Sequence, residues 1–510
     1  MDVSLKKRYF YKIIANIVGL GINGVKIIII PRGLGAQAYG DFNFLTSFFI
    51  QVVGFLDMGT SIGFYTKLSQ RPQENSLVSF YLYFSAIVSL AVVGFVCFSH
   101  RFGVYHSLWP GQGPFYIYFA ALWGILTWFV QLLIKMADAY GVTVSSEMVR
   151  VVQGVFGLII LLSLFGLNQL NLENFFIYHV FMLILLIVCL LYVMNRHGYS
   201  IRLRSLTSWE EVRSYCKEFI DYSHPLFVYS LVGVVAGVFD TWILQFFGGS
   251  VEQGYYGLSY QIGAVCLIFT SAMTPLITRE FAVAYAEGDL KKMAYVFRRY
   301  IPPLYSIAAY FSCFIAVQAD TIIQIIGGKT FRGAFLAVSI MAFYPMYQTY
   351  GQLSGSVFFA SGRTALYRNI GVIFLVGGLP LTYFFIAPGD KLGLDAGATG
   401  LAVKMVLIQV LGINVQVFFN AKFLGLRFWR YVGHQFAILG CLLMLALGTR
   451  FLVEGMGLFH NGPIFEFLLA GFLYSIMVFL IFYTQPLLFG VTRQDFLHIV
   501  ELMGNRLGLR

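Results

Sequence analysis

Lys26 lies inside an apolar run of about residues 10–30, and Asp240 inside another at about 224–247. Asn16, Gly19, Asn23 and Lys26 recur at helical spacing and share one face of the first run, as Ser230, Gly233, Gly237 and Asp240 do in the second. A charge at mid-bilayer costs about 2.5–3.5 kcal/mol, so such groups normally face a bundle interior or a water-filled cavity. A lysine there offers a point charge to a phosphate in a low dielectric, and Asn16, Asn23 and Gln51 offer hydrogen-bonding walls to polar cargo. Carboxylates do a different job. Asp57, in a run at 41–65, and Asp240 are expected to load and release a coupling ion, while Lys404, early in a run at 399–424, is a further cargo contact. Plainer readings use the same placements: Lys26 or Lys404 snorkelling outward, Lys26 pairing with Asp240, Gly233 and Gly237 serving close packing.

The elements that must hold these residues follow from composition. In 510 residues the hydrophobic share is 59% and the charged share 11%, with mean hydropathy +0.77. Soluble domains carry about 25% charge, so the solvent of this chain is mostly lipid, which excludes a soluble enzyme, a disordered chain and a nucleic-acid binder together. About fourteen runs approach the roughly 20 apolar residues needed to cross a bilayer, and their length argues for helices rather than barrel strands. The ninth begins at Pro302-Pro303. Lys6-Lys7-Arg8 before the first run resembles a secretory signal, but no small-residue cleavage site follows, so the run reads as a permanent span.

With the N-terminus cytoplasmic, 26 of the 34 Lys and Arg residues fall on inner segments and 6 on outer loops, with Lys26 and Lys404 inside spans. That bias predicts both termini inside. The expected architecture is an all-α integral membrane protein. Its parts are an N-terminal lobe at 1–196, a cytoplasmic amphipathic linker at 197–223 lying on headgroups, a second lobe at 224–424, and two peripheral helices with a cytoplasmic tail at 425–510. An offset of 214 residues lays Gly19 on Gly233, Ile29 on Ile243, Gly35 on Gly249, Gly40 on Gly254 and Lys26 on Asp240. Two six-span repeats in one orientation are a transporter arrangement.

Other chemistry is missing. No Walker A sequence, HExxH or CxxC spacing occurs, the six cysteines are scattered, and the eight histidines fall mainly at span ends and loops. Neither a resident metal nor an organic cofactor is expected. The 52 Phe, 32 Tyr and 6 Trp suit lipid-facing packing and interface belts.

Several segments carry a resemblance. Pro31-Arg32-Gly33-Leu34-Gly35-Ala36-Gln37-Ala38-Tyr39-Gly40, Gly54-Phe55-Leu56-Asp57-Met58-Gly59, and Tyr285-Ala286-Glu287-Gly288-Asp289-Leu290 with Arg298-Arg299 occur in order. Ser361-Gly362-Arg363-Thr364 and Gly397-Ala398-Thr399-Gly400-Leu401-Ala402 follow. This ordered set resembles the Wzx-like O-antigen and polysaccharide flippases of the MOP exporter superfamily, related to the lipid II flippase and the MATE drug exporters. The resemblance implies two six-helix lobes around a cavity that opens alternately to each side. It implies movement of an undecaprenyl-pyrophosphate-linked oligosaccharide, an O-antigen or other surface polysaccharide unit, from the cytoplasmic to the periplasmic leaflet of a bacterial inner membrane. Coupling to a proton or sodium gradient and a place beside polysaccharide assembly machinery are implied with it. The family has no fixed catalytic motif, so Lys26, Asp57 and Asp240 rest on intramembrane charge alone.

Two alternatives stand beside this reading. A MATE-like small-molecule antiporter should have an acidic site, and here two intramembrane lysines balance two carboxylates. A membrane glycan polymerase or ligase should depend on charged outer loops, which here are short and hold residues such as Arg101, Lys329 and Arg332.

Overall fold

The structure, a computed structural model, describes residues 5–57, 60–199, 209–455 and 462–493, with the side chains of 5–17, 62, 221–227, 268 and 269 outside the description. Every regular element among them is helical. The first part of the chain forms α1 (Leu5–Asp57), α2 (Thr60–Gln70), α3 (Asn75–Arg101), a one-turn α4 (Tyr105–Leu108), α5 (Pro114–Ala139), α6 (Thr143–Gly166), α7 (Leu172–Arg196) and α8 (Trp209–Ala264). Then come α9 (Ile268–Ala286), α10 (Leu290–Val317), α11 (Ala319–Ile326), α12 (Phe335–Met341), α13 (Tyr344–Ala360), α14 (Thr364–Ile386), α15 (Gly397–Leu424), α16 (Phe428–Gly455) and α17 (Pro463–Thr484).

Among the described residues eleven helical segments are long and apolar enough to cross a membrane, and two of these, Val18–Asp57 and Val228–Leu267, run 40 residues each. Forty residues at 1.5 Å each is about twice a bilayer's thickness, so each must turn back. Each breaks at a glycine: Gly35 (φ 73°, ψ 173°) in α1 and Gly249 (φ 74°, ψ −172°) in α8. These are two glycines aligned by the 214-residue offset, and a positive φ with ψ near 180° is a region that only glycine enters readily, costing another residue about 1–3 kcal/mol. Splitting both segments, and taking α12 with α13 as one rod, gives about fourteen crossings of the length a bilayer demands. The chain is an all-helical, multi-pass membrane protein.

Two compact units divide the chain at Gly254. In the first, α5 packs against α1, α2, α3 and α7. One core layer joins Phe44, Phe48 and Phe49 of α1 to Trp109 and to Ile117 and Ala121 of α5; another joins Phe64, Tyr81, Leu133, Leu190, Tyr215 and Phe219. In lipid no water is expelled when helices meet, so fit and hydrogen bonding must hold these layers. Small residues permit the closest approach. A β-carbon on Gly40 would fall 1.7 Å from the Ser250 carbonyl oxygen, and one on Gly254 would fall 2.1 Å from that of Ala36.

In the second unit the most buried helix is α10, packed by α9, α13 and α16. The sequence places the start of this span at Pro302-Pro303, but α10 begins at Leu290, where the Asp289 carboxylate caps it by accepting from the Lys292 N–H at 2.8 Å. Lys291, Lys292, Arg298 and Arg299 lower the hydropathy of these turns, while Met293, Ala294, Val296 and Phe297 between them are buried. This is an amphipathic start, which a search for uniform apolarity passes over.

Within the expected linker, residues 200–208 lie outside the described residues. The stretch from Trp209 is continuous with α8, and its Tyr215 and Phe219 are buried against Phe80, with ring centroids at 5.2 and 5.7 Å. Glu218 pairs with Lys67 at 2.6 Å and with Arg71 at 2.5 Å. One face of this stretch therefore packs on α2 and α3, and Trp209 and Ile220 remain exposed.

Candidate functional site

Asp57 ends α1 just before α2 begins, and its carboxylate is only 7% exposed. Oδ1 accepts from the Tyr81 hydroxyl at 2.9 Å, Trp128 Nε1 at 3.0 Å and Thr60 Oγ1 at 3.3 Å. Oδ2 accepts from Ser61 Oγ at 3.0 Å, and Ser61 Oγ in turn accepts from Lys135 Nζ at 2.7 Å. Four elements thus converge on one acid. Thr60 and Ser61 open α2 three and four residues past it, α3 supplies Tyr81, and α5 supplies Trp128 and Lys135 seven residues apart on one face. Asp57 is thus a buried carboxylate whose two oxygens accept from four side chains and which connects through one hydroxyl to the Lys135 ammonium.

The remaining sequence-derived residues are dispersed. On α1, Asn23 is exposed and Lys26 half-buried, and glycines 19, 21 and 24 beside them leave open space where a β-carbon would sit. Asn16 lies among the undescribed side chains. Elsewhere in this unit, the ring of His179 on α7 stacks on Phe42 at 5.0 Å and meets Phe175 edge-on at 4.5 Å. Trp123 and Tyr178 complete that aromatic surround, with centroids at 6.4 and 5.2 Å.

Gln51 turns its side chain onto α8. Its Oε1 would lie 2.1 Å from a β-carbon at Gly237, so that position presents bare backbone to the amide. One turn further along, Asp240 is 8% exposed. Lys404 is 5% exposed, with its Cε lying 2.9 Å from where a Gly378 β-carbon would be, so its stem is buried between α14 and α15. Gln51 and Asp240 belong to the first unit, and Lys404 to the second.

Sequence reading passes over every partner of Asp57, Thr60 and Ser61 of α2 included. Lys135 reads as an interfacial base near a span end, and Tyr81 and Trp128 as two of many lipid-facing aromatics. Asp41 is also passed over. It accepts from Gln112 Nε2 at 2.5 Å and from the Ser250 hydroxyl, while Gln245 Nε2 bridges Ser250 Oγ and the Pro110 carbonyl, each at 3.1 Å. Its place directly after Gly40, in the turn that the repeat singles out, is the available signal. Among the described residues no cluster of three or more His, Cys, Asp or Glu could hold a metal.

No protein-family model matches the chain. It is 25% identical over 426 residues, 81% of its own length and 83% of the relative's, to the probable low-salt glycan biosynthesis flippase Agl15 of Haloferax volcanii. Its fold superposes on the lipid II flippase MurJ in an inward closed conformation with a TM-score of 0.64 at 12% identity, covering 94% of this chain and 99% of that one. It also superposes on an inward-facing multidrug resistance MATE family transporter of the MOP superfamily, with a TM-score of 0.58 at 15% identity over 79% and 94% of the two chains. The fold is the one these two solved transporters have.

Proposed function

We propose that the chain is a flippase that carries a lipid-linked oligosaccharide across a membrane by alternating access. The observation that carries this reading is the match, nearly end to end, to the lipid II flippase fold, which agrees with the glycan flippase found as a sequence relative. The finer form of the proposal takes the cargo as an undecaprenyl-pyrophosphate-linked surface polysaccharide unit and the membrane as a bacterial inner membrane with both termini cytoplasmic. The excess of Lys and Arg on the segments assigned inside supports that orientation.

Lys26, half-buried on a helix face with Asn23, serves the diphosphate as a point charge, and Asn16 and Gln51 serve the sugars. Asp57 is the coupling residue, with Asp240 second, and a proton or sodium ion drives the cycle. Lys404 is the weakest of the proposed cargo contacts, because its stem is enclosed between two helices. Small-molecule antiport is the second reading, and the MATE match supports it at the level of fold.

The test is flipping in proteoliposomes. An undecaprenyl-pyrophosphate oligosaccharide is placed in one leaflet, and a membrane-impermeant glycan probe reports its arrival in the other. Protein-dependent arrival, cut at least about tenfold by Lys26→Ala (1.4 kcal/mol) and partly kept by Lys26→Arg, is expected. No arrival with an imposed pH gradient and matched glycan would move the assignment to antiport; full rate in Lys26→Ala would remove that lysine from the mechanism.

A further inference from the structure

A second feature lies in the second unit, apart from the groups invoked above. In the third turn of α10, Arg298 and Arg299 meet Arg430, Tyr431 and His434 from the start of α16 around a cavity of about 320 Å³, lined on a third side by the segment 487–492. Phe297 packs edge-on against Tyr431 at 5.2 Å and holds the two helix starts together. The third wall is fixed as well. Ser306 Oγ donates to the Phe489 carbonyl at 3.2 Å, and Gly490 lies so close to α10 that a β-carbon there would fall 2.5 Å from Pro302 Cβ. Three guanidinium groups and an imidazole line this space, and none of its lining residues is acidic.

Beside it, beyond Val491, an apolar groove of about 530 Å³ runs between α10 and α17. Val491 lines both spaces, and the adjacent residues Pro302 and Pro303 line one each. Ile307, Phe311, Val478, Phe479 and Phe482 make the groove walls, with Ile307 and Phe479 exposed on its rim. Trp429, 77% exposed beside Arg430, marks this level as the headgroup interface, where indole rings gather.

We propose that this pair of spaces is a binding site for an anionic glycerophospholipid of the bilayer, its phosphate among Arg298, Arg299 and Arg430 and one acyl chain in the α10–α17 groove. Charge complementarity selects the head, because guanidinium forks match phosphate oxygens in paired hydrogen bonds. Basic pockets between transmembrane helices at the inner face take such headgroups, and inner is the side to which the charge bias assigns these segments. A single lipid would touch α10, α16, α17 and the 487–492 segment, fastening the last two crossings to the buried α10. The proposal does not depend on what the protein transports.

The experiment uses the full chain in detergent, reading the thermal midpoint and, by native mass spectrometry, bound lipid. Phosphatidylglycerol should bind at least about tenfold more tightly than phosphatidylcholine and raise the midpoint by several degrees. Arg298→Gln with Arg430→Gln should remove that preference. Ile307→Trp, which fills the groove, should weaken phosphatidylglycerol but leave sn-glycerol 3-phosphate binding unchanged. The lipid-free midpoint of each variant reports its folding. Three results overturn the proposal: equal binding of both phospholipids; glycerol 3-phosphate binding as tightly as phosphatidylglycerol, which would mark a free-phosphate site; or undecaprenyl phosphate displacing phosphatidylglycerol at equal concentration, which would mark a carrier-lipid site.

Discussion

The second and fourth crossings of each repeat are joined by polar contacts, but the two repeats use different chemistry. In the first, α5 reaches Asp57 through Trp128 and Ser61 through Lys135, around a buried carboxylate. In the second, α13 reaches α9 through Thr349 on Thr270 at 2.8 Å and Ser356 on Thr278 at 2.7 Å, with Gln352 and Thr274 between them at 3.4 Å. Trp128 and Lys135 are seven residues apart, as are Thr349 and Ser356, so both helices touch their partner at the same two-turn interval. Neutral hydroxyl pairs hold helices together and cannot change charge. A carboxylate with an ammonium beyond one hydroxyl can do both. If Asp57 is the coupling residue proposed above, the matching contact of the second repeat has no carboxylate to share that role.

The hardest test of that asymmetry is Asp57. Asp57→Ala leaves the Tyr81, Trp128 and Ser61 donors without their acceptor, at about 1–3 kcal/mol each, so loss of folded protein is the expected outcome. Asp57→Asn keeps the shape and one acceptor; it should fold, lose at least about tenfold in flipping, equivalent to 1.4 kcal/mol, and lose its pH dependence. Lys135→Met should follow it in direction. An Asn variant with the wild-type pH profile in proteoliposomes would break the comparison. A smaller effect is expected from Thr270→Val with Thr349→Val, which removes both members of a buried hydroxyl pair. The cost should be about 1 kcal/mol in thermal unfolding, with the pH profile of transport unchanged. A shifted profile would mean that the second repeat also handles charge.

The smallest effect concerns the start of α8. Burial opposes ionisation of Glu218, but the hydrogen bond from Lys67 and the Arg71 charge outweigh it and hold its carboxyl below the usual range. A depressed carboxylate contributes its stability above the unfolded value, about 4.3, and loses it as pH falls through the folded one. Amide exchange of residues 209–220 should therefore rise below about pH 4 before that of α5 does, and Glu218→Gln should show the same rise at neutral pH.

The helical class and the turning glycines are legible in the sequence because each leaves a local mark. Twenty apolar residues announce a crossing, and a glycine recurring at a fixed offset announces a backbone constraint, which at Gly35 and Gly249 is the positive φ itself. Asp57 is legible as an unexpected charge. Its partners are not. Tyr81, Trp128 and Lys135 come from helices 24 to 78 residues away, and a hydrogen bond at such separation imposes no periodicity on the chain. Hydropathy judges one residue at a time, so Lys135 reads as interfacial, and nothing in it foretells that the Lys404 stem is enclosed beside Gly378. The early start of α10 is hidden for the opposite reason, since charges on its open face mask an apolar face of equal length.

The close crossing in the first unit has a further consequence. Gly40 meets Ser250 and Gly254 meets Ala36, and a shift of 214 residues turns each contact into the other. A patch that meets its own copy with residues exchanged in this way is an isologous contact, the kind that two identical chains make about a two-fold axis. The crossing is thus a pseudo-two-fold contact within a single polypeptide. Covalent linkage makes it independent of protein concentration, and it frees each side to diverge in charge while the glycines remain matched.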